Sequence, residues 1–226
     1  RQITTLKNDA KSPKWLSKSE IIFSSNLHEN SDLEPRNSEL YVIDIKTKKI
    51  KVLTKRKGPD FSPQVSHDKS KIAYLGFDEK YLGYQQNDLY IMSRDGKNIQ
   101  NVSKNFDRNI TNIKWAKDDR GLYFQYDDKG MTKLSYISSS GKVKDIVNQL
   151  GGLSIGRPYS GASFSVSKND RYAFTFGNVY NPSDLAVGFN GRYNRLTFLN
   201  KDLFDYKKLG EVEEVWFESS FDKRQI

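Results

Sequence analysis

No cysteine occurs among the 226 residues, which excludes disulfides, thiolate metal sites and a cysteine nucleophile while leaving the compartment, cytoplasmic or periplasmic, open. Histidine is almost as scarce. His28 sits in a polar stretch and His67 in a turn-like one, and two distant histidines without cysteine do not make a zinc site. Six prolines and fifteen glycines are too few for a fibrous or disordered chain. No apolar run approaches the roughly 20 residues of a membrane span, so a soluble chain is expected. No glycine-rich phosphate cradle is present, and no cofactor is expected. Acidic residues are outnumbered, 28 against 37 basic, for a net charge of +9. The densest basic run, residues 46–57, interleaves lysine with Ile50, Val52 and Leu53, as in an outer strand whose lysines discourage edge pairing. No nucleic-acid motif accompanies the charge, so a solvated surface without a nucleic-acid partner is expected.

What the chain does contain is a repeat. Residues 110–124 read I-T-N-I-K-W-A-K-D-D-R-G-L-Y-F, two runs of period-2 alternation joined by a polar turn. Residues 11–24, 61–75 and 162–176 have the same form. The apolar residues before the four turns are Trp15, Val65, Trp115 and Val166, separated by 50, 50 and 51 positions. A fixed period near fifty with several strands per repeat predicts an all-β fold, a β-propeller of about four blades of four antiparallel strands.

Within each repeat a second hairpin follows. The third strands are expected near residues 39–45, 88–92, 131–137 and 184–189, and the fourth near 50–53, 99–102, 142–147 and 195–198. Asp95-Gly96 and Asn190-Gly191 are strong hairpin-turn signals. Residues 1–6 read as the closing strand of a repeat that starts earlier. Residues 1–210 are expected to form the blades, and 211–226 to lead out of them. Asp118, Asp119, Asp127 and Asp128 fall in turns, where carboxylates cap backbone N–H groups.

The pattern apolar-Ser-x-Asp-x-x-apolar-aromatic resembles the repeat of TolB-type propellers. Longer strings, N-D-L-Y-I-M-S-R-D-G at 87–96, residues 151–167, 184–197 and E-V-E-E-V-W-F-E-S-S-F-D-K-R-Q-I at 211–226, resemble the prolyl oligopeptidase family of serine peptidases, nearest its acylaminoacyl-peptidase and dipeptidyl-aminopeptidase-like members. The resemblance implies a seven- or eight-bladed propeller of which this chain holds the later blades. It also implies an α/β-hydrolase domain following residue 226, and a non-catalytic role in gating access of short peptides. Open blade edges would then be sites of self-association. A TolB-like protein-binding propeller without an enzyme, or a closed four-bladed carbohydrate-active propeller, are the alternatives.

No catalytic residue is expected in the chain itself. A G-x-S-x-G elbow is absent, and around Ser160 the glycine places are taken by Pro158 and Ala162. If a functional surface exists, the loops between strands two and three and between successive repeats place Tyr81, Tyr84, Arg157, Tyr159, Asn178 and Tyr180 on one face. There they would line a substrate path or meet the hydrolase domain, and no metal site is expected among them.

Overall fold

The computed structural model describes residues 2–152 and 161–226. Among the described residues sixteen strands form four sheets, each an antiparallel meander of four strands in sequence order. Sheet 1 holds β1 (Lys11–Trp15), β2 (Glu20–Ser25), β3 (Glu39–Asp44) and β4 (Ile50–Val52). Sheet 2 holds β5 (Asp60–Val65), β6 (Lys71–Gly76), β7 (Asp88–Ser93) and β8 (Gln100–Asn101). Sheet 3 holds β9 (Thr111–Trp115), β10 (Gly121–Asp128), β11 (Met131–Ser138) and β12 (Val143–Leu150). Sheet 4 holds β13 (Phe164–Val166), β14 (Tyr172–Asn178), β15 (Asn181–Phe189) and β16 (Arg192–Arg195), and one short helix, α1 (Lys201–Phe204), follows.

The sheets pack face to face because their second and third strands are apolar on both sides. In β6, Ile72 and Tyr74 join Leu16, Ile22, Leu40 and Val42 of sheet 1 in one core. Their alternate neighbours Ala73 and Leu75 join Ile113, Trp115, Leu122 and Phe124 of sheet 3 in another. A third core lies between sheets 3 and 4, around Leu134, Phe164, Tyr172 and Phe174. Sheets stacked in this way, one per repeat, are the blades of a β-propeller.

The repeat extends to backbone detail. Ser12, Ser62 and Asn112, at the same place in β1, β5 and β9, have φ of 51°, 52° and 45°, and each of these first strands has a register shift there. This is one bulge at the same place in three of the four first strands; β13 pairs with β14 without a register shift. Trp15 and Trp115 also occupy one place in the repeat. Trp115 is 6% exposed and its indole N–H donates to the Gln64 carbonyl of the preceding blade at 3.0 Å. Trp15, with no preceding blade among the described residues, is 57% exposed.

Blade turns are linked by carboxylates. Asp119 accepts from the backbone N–H groups of His67 and Asp68 in the preceding blade, each at 2.9 Å, and from the His67 ring at 2.8 Å. Asp170 accepts from Lys117 N–H at 2.9 Å. The turn role expected of His67 and Asp119 is therefore present, but it runs between blades. At the corresponding place in blade 2 stands Lys69, and the first seam is joined at this end by the Arg94–Glu20 ion pair, 2.5 Å.

Three expected boundaries are corrected. Residues 2–6 form no strand. A fourth strand pairs only with the third strand of its own blade, and here the segment rests on blade 1, with Lys48 Nζ donating to the Ile3 carbonyl at 2.8 Å and Leu6 against Phe23, Tyr41 and Ile43. The last fourth strand is β16, not residues 195–198, because the two-residue Asn190-Gly191 turn, with φ of 50° and 77°, brings Arg192 directly opposite Phe189. For the same reason β15 starts at Asn181, earlier than expected, after a tight turn through Val179 and Tyr180.

Candidate functional site: the loop face at the seam of blades 1 and 2

In blades 1, 2 and 4 the third strand carries an acid followed by leucine, at the first position of β3 and β7 and at the fourth of β15: Glu39-Leu40, Asp88-Leu89 and Asp184-Leu185. Each leucine N–H donates to a hydroxyl beyond the fourth strand, Thr54, Ser103 or Thr197, at 2.9, 2.9 and 2.8 Å. Each hydroxyl donates in turn to the acid, at 2.5, 3.0 and 2.7 Å. The clasp anchors the chain as it leaves one blade for the next. In blade 1 the acid is a glutamate, one methylene longer, and its side chain reaches a seam that already holds another carboxylate.

That seam concentrates charge. Asp60, fully buried at the start of β5, pairs with Arg56, whose guanidinium lies 4.2 Å from the Tyr90 ring centroid and 3.5 Å from Asp78 Oδ1. Glu39, its side chain 2% exposed, has His28 Nε2 at 3.8 Å. Burial, with Asp60 nearby, raises the Glu39 carboxyl to about 7, against the lowering effect of Thr54 and Arg56. Burial raises Asp60 as well, with Arg56 opposing it. Two buried carboxyls thus lie at one seam, and the Arg56 guanidinium pairs with Asp60 while acting on Glu39 only through space. Glu39 Oε1, Asp60 Oδ2 and Arg56 Nε have no hydrogen-bond partner among the described residues.

Over this cluster opens a cleft of about 530 Å³ lined by His28, Glu39, Tyr41, Thr54, Arg56 and Lys57. Beside it, a smaller hollow of about 170 Å³ is lined by Leu33, Arg36, Lys57, Glu79 and Tyr81. Tyr81, 67% exposed, has Lys57 Nζ 5.1 Å from its ring centroid. Tyr84 is 72% exposed on the same connection, next to exposed Leu82.

Of the six residues expected on this face, Tyr81 and Tyr84 lie together at the blade 2 loop. Asn178 and Tyr180 lie apart from them, in the β14–β15 turn of blade 4. Asn178 Oδ1 accepts from the N–H groups of Tyr180 and Asn181, each at 2.9 Å, which is a turn-holding role. The Tyr180 hydroxyl accepts from Val212 N–H at 3.2 Å and so touches the outgoing segment. Arg157 and Tyr159 lie outside the described residues. Glu39, Arg56 and Asp60 were not singled out by sequence reasoning. The acid-Leu pairs at 39, 88 and 184 were the available signal, but such acids look like ordinary solvated residues until the seam closes over them.

The outgoing segment crosses the same face. Lys129, in the β10–β11 turn, stands 4.8 Å from the Trp216 ring centroid, and Phe217 and Ile226 exchange backbone hydrogen bonds of 3.1 and 2.9 Å. The hairpin so formed carries Trp216, Phe217 and, at 96% exposure, Phe221.

The fold is that of β-propeller blades, similar to those of peptidases and of TolB. No protein-family model matches the chain. One curated relative, the probable dipeptidyl-peptidase 5 of Aspergillus clavatus, is 32% identical over 87 residues, 38% of this chain and 12% of the relative. The acylaminoacyl peptidase of Pyrococcus horikoshii superposes on 93% of this chain with a TM-score of 0.67 and 18% identity. The β-propeller domain of the trilobed protease of Pyrococcus furiosus covers 88% with 0.63 and 21%, and TolB of Acinetobacter baumannii covers 84% with 0.59 and 17%. The chain spans 30%, 54% and 44% of these three structures. At such identities the likeness is one of fold.

Proposed function

We propose that these blades are the non-catalytic propeller portion of a serine peptidase of the prolyl oligopeptidase family. In this reading the loop face is the partner surface for an α/β-hydrolase domain of the same protein, and it admits short peptides while turning away folded ones. The observation that carries it is the placement of exposed apolar side chains. Leu33, Tyr81, Leu82 and Tyr84 stand out from the connections at one end of the blades, and the segment bearing Trp216 and Phe217 is tied to that same end by Tyr180 and Lys129. Exposed aromatic and aliphatic groups gathered on one face mark an interaction surface. The chemistry, acyl transfer through a serine, would belong to the hydrolase domain.

The test uses the full-length protein. It should label with a fluorophosphonate, and its rate on a peptide series should fall steeply with chain length. Replacing Tyr81 and Tyr84 together with alanine should flatten that dependence without changing the rate of fluorophosphonate labelling or of hydrolysis of a small ester. Failure to label, or equal rates on folded proteins and short peptides, would sink the reading.

A further inference from the structure

The net charge is placed very unevenly. The β1–β2 and β3–β4 turns of a meander lie at one end of its sheet, and the carboxylate links at Asp119 and Asp170 align those ends across blades 2, 3 and 4. The eight turns there are residues 16–19, 45–49, 66–70, 94–99, 116–120, 139–142, 167–171 and 190–191. They hold twelve Lys and Arg against five Asp, a net of +7, where the whole chain carries +9. In the described connections of the opposite end, residues 26–38, 53–59, 77–87, 102–110, 129–130 and 179–180, eight basic residues face six acids.

The five acids within these turns are already engaged, as is Glu20 at their border, which pairs with Arg94. Asp68 accepts from the Ser66 and Ser70 hydroxyls at 2.7 and 2.8 Å. Asp95 accepts from Lys97 N–H at 3.1 Å and Asp118 from Arg120 N–H at 3.1 Å. Asp119 and Asp170 hold the neighbouring turns. The lysines are not engaged in this way: Lys18, Lys69, Lys117 and Lys168, one in each β1–β2-type turn, are exposed and form no ion pair among the described residues.

We propose that this turn face docks on an anionic lipid surface. The turns are short, two to six residues, so none projects far beyond its sheet, and neighbouring turns are tied to one another from blade to blade. Lysines presented side by side in this way can meet a plane of headgroups together. A duplex would touch the face along a line only. The turns contain no Phe, Tyr or Trp, so they offer no platform for stacking unpaired bases. Lysines within a Debye length of about 8–10 Å of anionic headgroups add their attractions. Docked in this way, the loop face with its clefts points away from the membrane.

The experiment is cosedimentation with phosphatidylcholine vesicles containing about 30 mol% phosphatidylglycerol, at about 50 mM salt, where screening is weak. Binding is expected there, should be absent on phosphatidylcholine alone, and should fall at least about tenfold at 0.5 M salt. The quadruple variant K18E/K69E/K117E/K168E should lose binding by more than about tenfold. The quadruple K7E/K55E/K80E/K104E makes the same change in net charge on the loop end and should stay within about threefold of wild type. Thermal melts of both variants establish folding. No binding to the anionic vesicles, equal loss in the two quadruples, release by inorganic phosphate at matched ionic strength, or tighter binding to duplex DNA than to the vesicles would each overturn the proposal.

Discussion

Replacing Glu39 with glutamine should make the protein more stable at pH 8 and leave it nearly unchanged at pH 5. The folded chain holds the Glu39 proton up to about 7, against an ordinary 4.5, because burial disfavours the charged form and Asp60 adds to the penalty. A raised carboxyl binds its proton more tightly in the folded state. Its contribution is therefore fully present below pH 4.5 and is lost as pH climbs to about 7. At ~1.4 kcal/mol per pH unit between those values, the loss is about 3.5 kcal/mol, and on a chain of this size that is roughly 7–14 °C in Tm. Carboxylates lowered by turn hydrogen bonds, such as Asp68 at about 2, lose their contribution only in acid and do not confuse this window. Glutamine keeps the shape and can still accept from the Thr54 hydroxyl, but it cannot ionise. Urea denaturation of wild type and E39Q at half-unit steps from pH 5 to 8 should give diverging curves, with E39Q flatter and higher at the alkaline end. If the two run parallel, Glu39 is not the titrating group. If E39Q is weaker at pH 8, the ionised carboxylate is a net stabiliser and the account of the seam is wrong.

Other substitutions probe the blade seams. D119N leaves one acceptor and turns an amide toward the Asp68 N–H, so it should cost about 2 kcal/mol in urea denaturation. The Asp119 carboxyl is lowered by the His67 and Asp68 N–H groups despite its burial, so D119N should also remove part of the wild-type loss of stability below pH 4. W115F removes the indole bond to Gln64 and should cost about 1 kcal/mol, whereas W15F, at the same place in the repeat but exposed, should stay within about 0.5 kcal/mol; equal costs would refute the account of the two tryptophans. At Gly188 a Cβ would sit 2.2 Å from Tyr172 Cε2 and 2.7 Å from the Arg192 carbonyl, so G188A should lower stability by about 1–3 kcal/mol, read as a lower thermal midpoint.

The blades were legible because their signal is repeated. Four turn-flanked runs at one spacing outvote local ambiguity, and the structure places a strand at each of the four, β1, β5, β9 and β13. Boundaries were less legible where a two-residue turn pulled pairing forward, as at Arg192, or where a strand-like segment rests on a blade without pairing, as at residues 2–6. The candidate site was barely legible. Tyr81 and Tyr84 could be placed because loop tips are local features. Glu39, Arg56 and Asp60 acquire their character only from a neighbouring blade closing over them, and sequence position carries no record of that burial. The sign of the net charge was readable, but not its gathering at one end, because that depends on which turns share an end of the sheets.

The turn-end connections also set how the blades would yield to force. Between blades 2, 3 and 4 the turns are held by carboxylates on backbone N–H groups. Between blades 1 and 2 they are held by the partly exposed Arg94–Glu20 pair, which salt screens. The loop end of that same seam is fastened by the buried Asp60, whose carbonyl accepts from Ser24 Oγ at 2.7 Å and whose N–H donates to the Ser38 carbonyl at 2.7 Å. The first seam is thus built like a book spine, compliant along the turn edge and stiff along the loop edge. Under tension blade 1 would swing open from the turn side and leave the Glu39 cluster as its pivot.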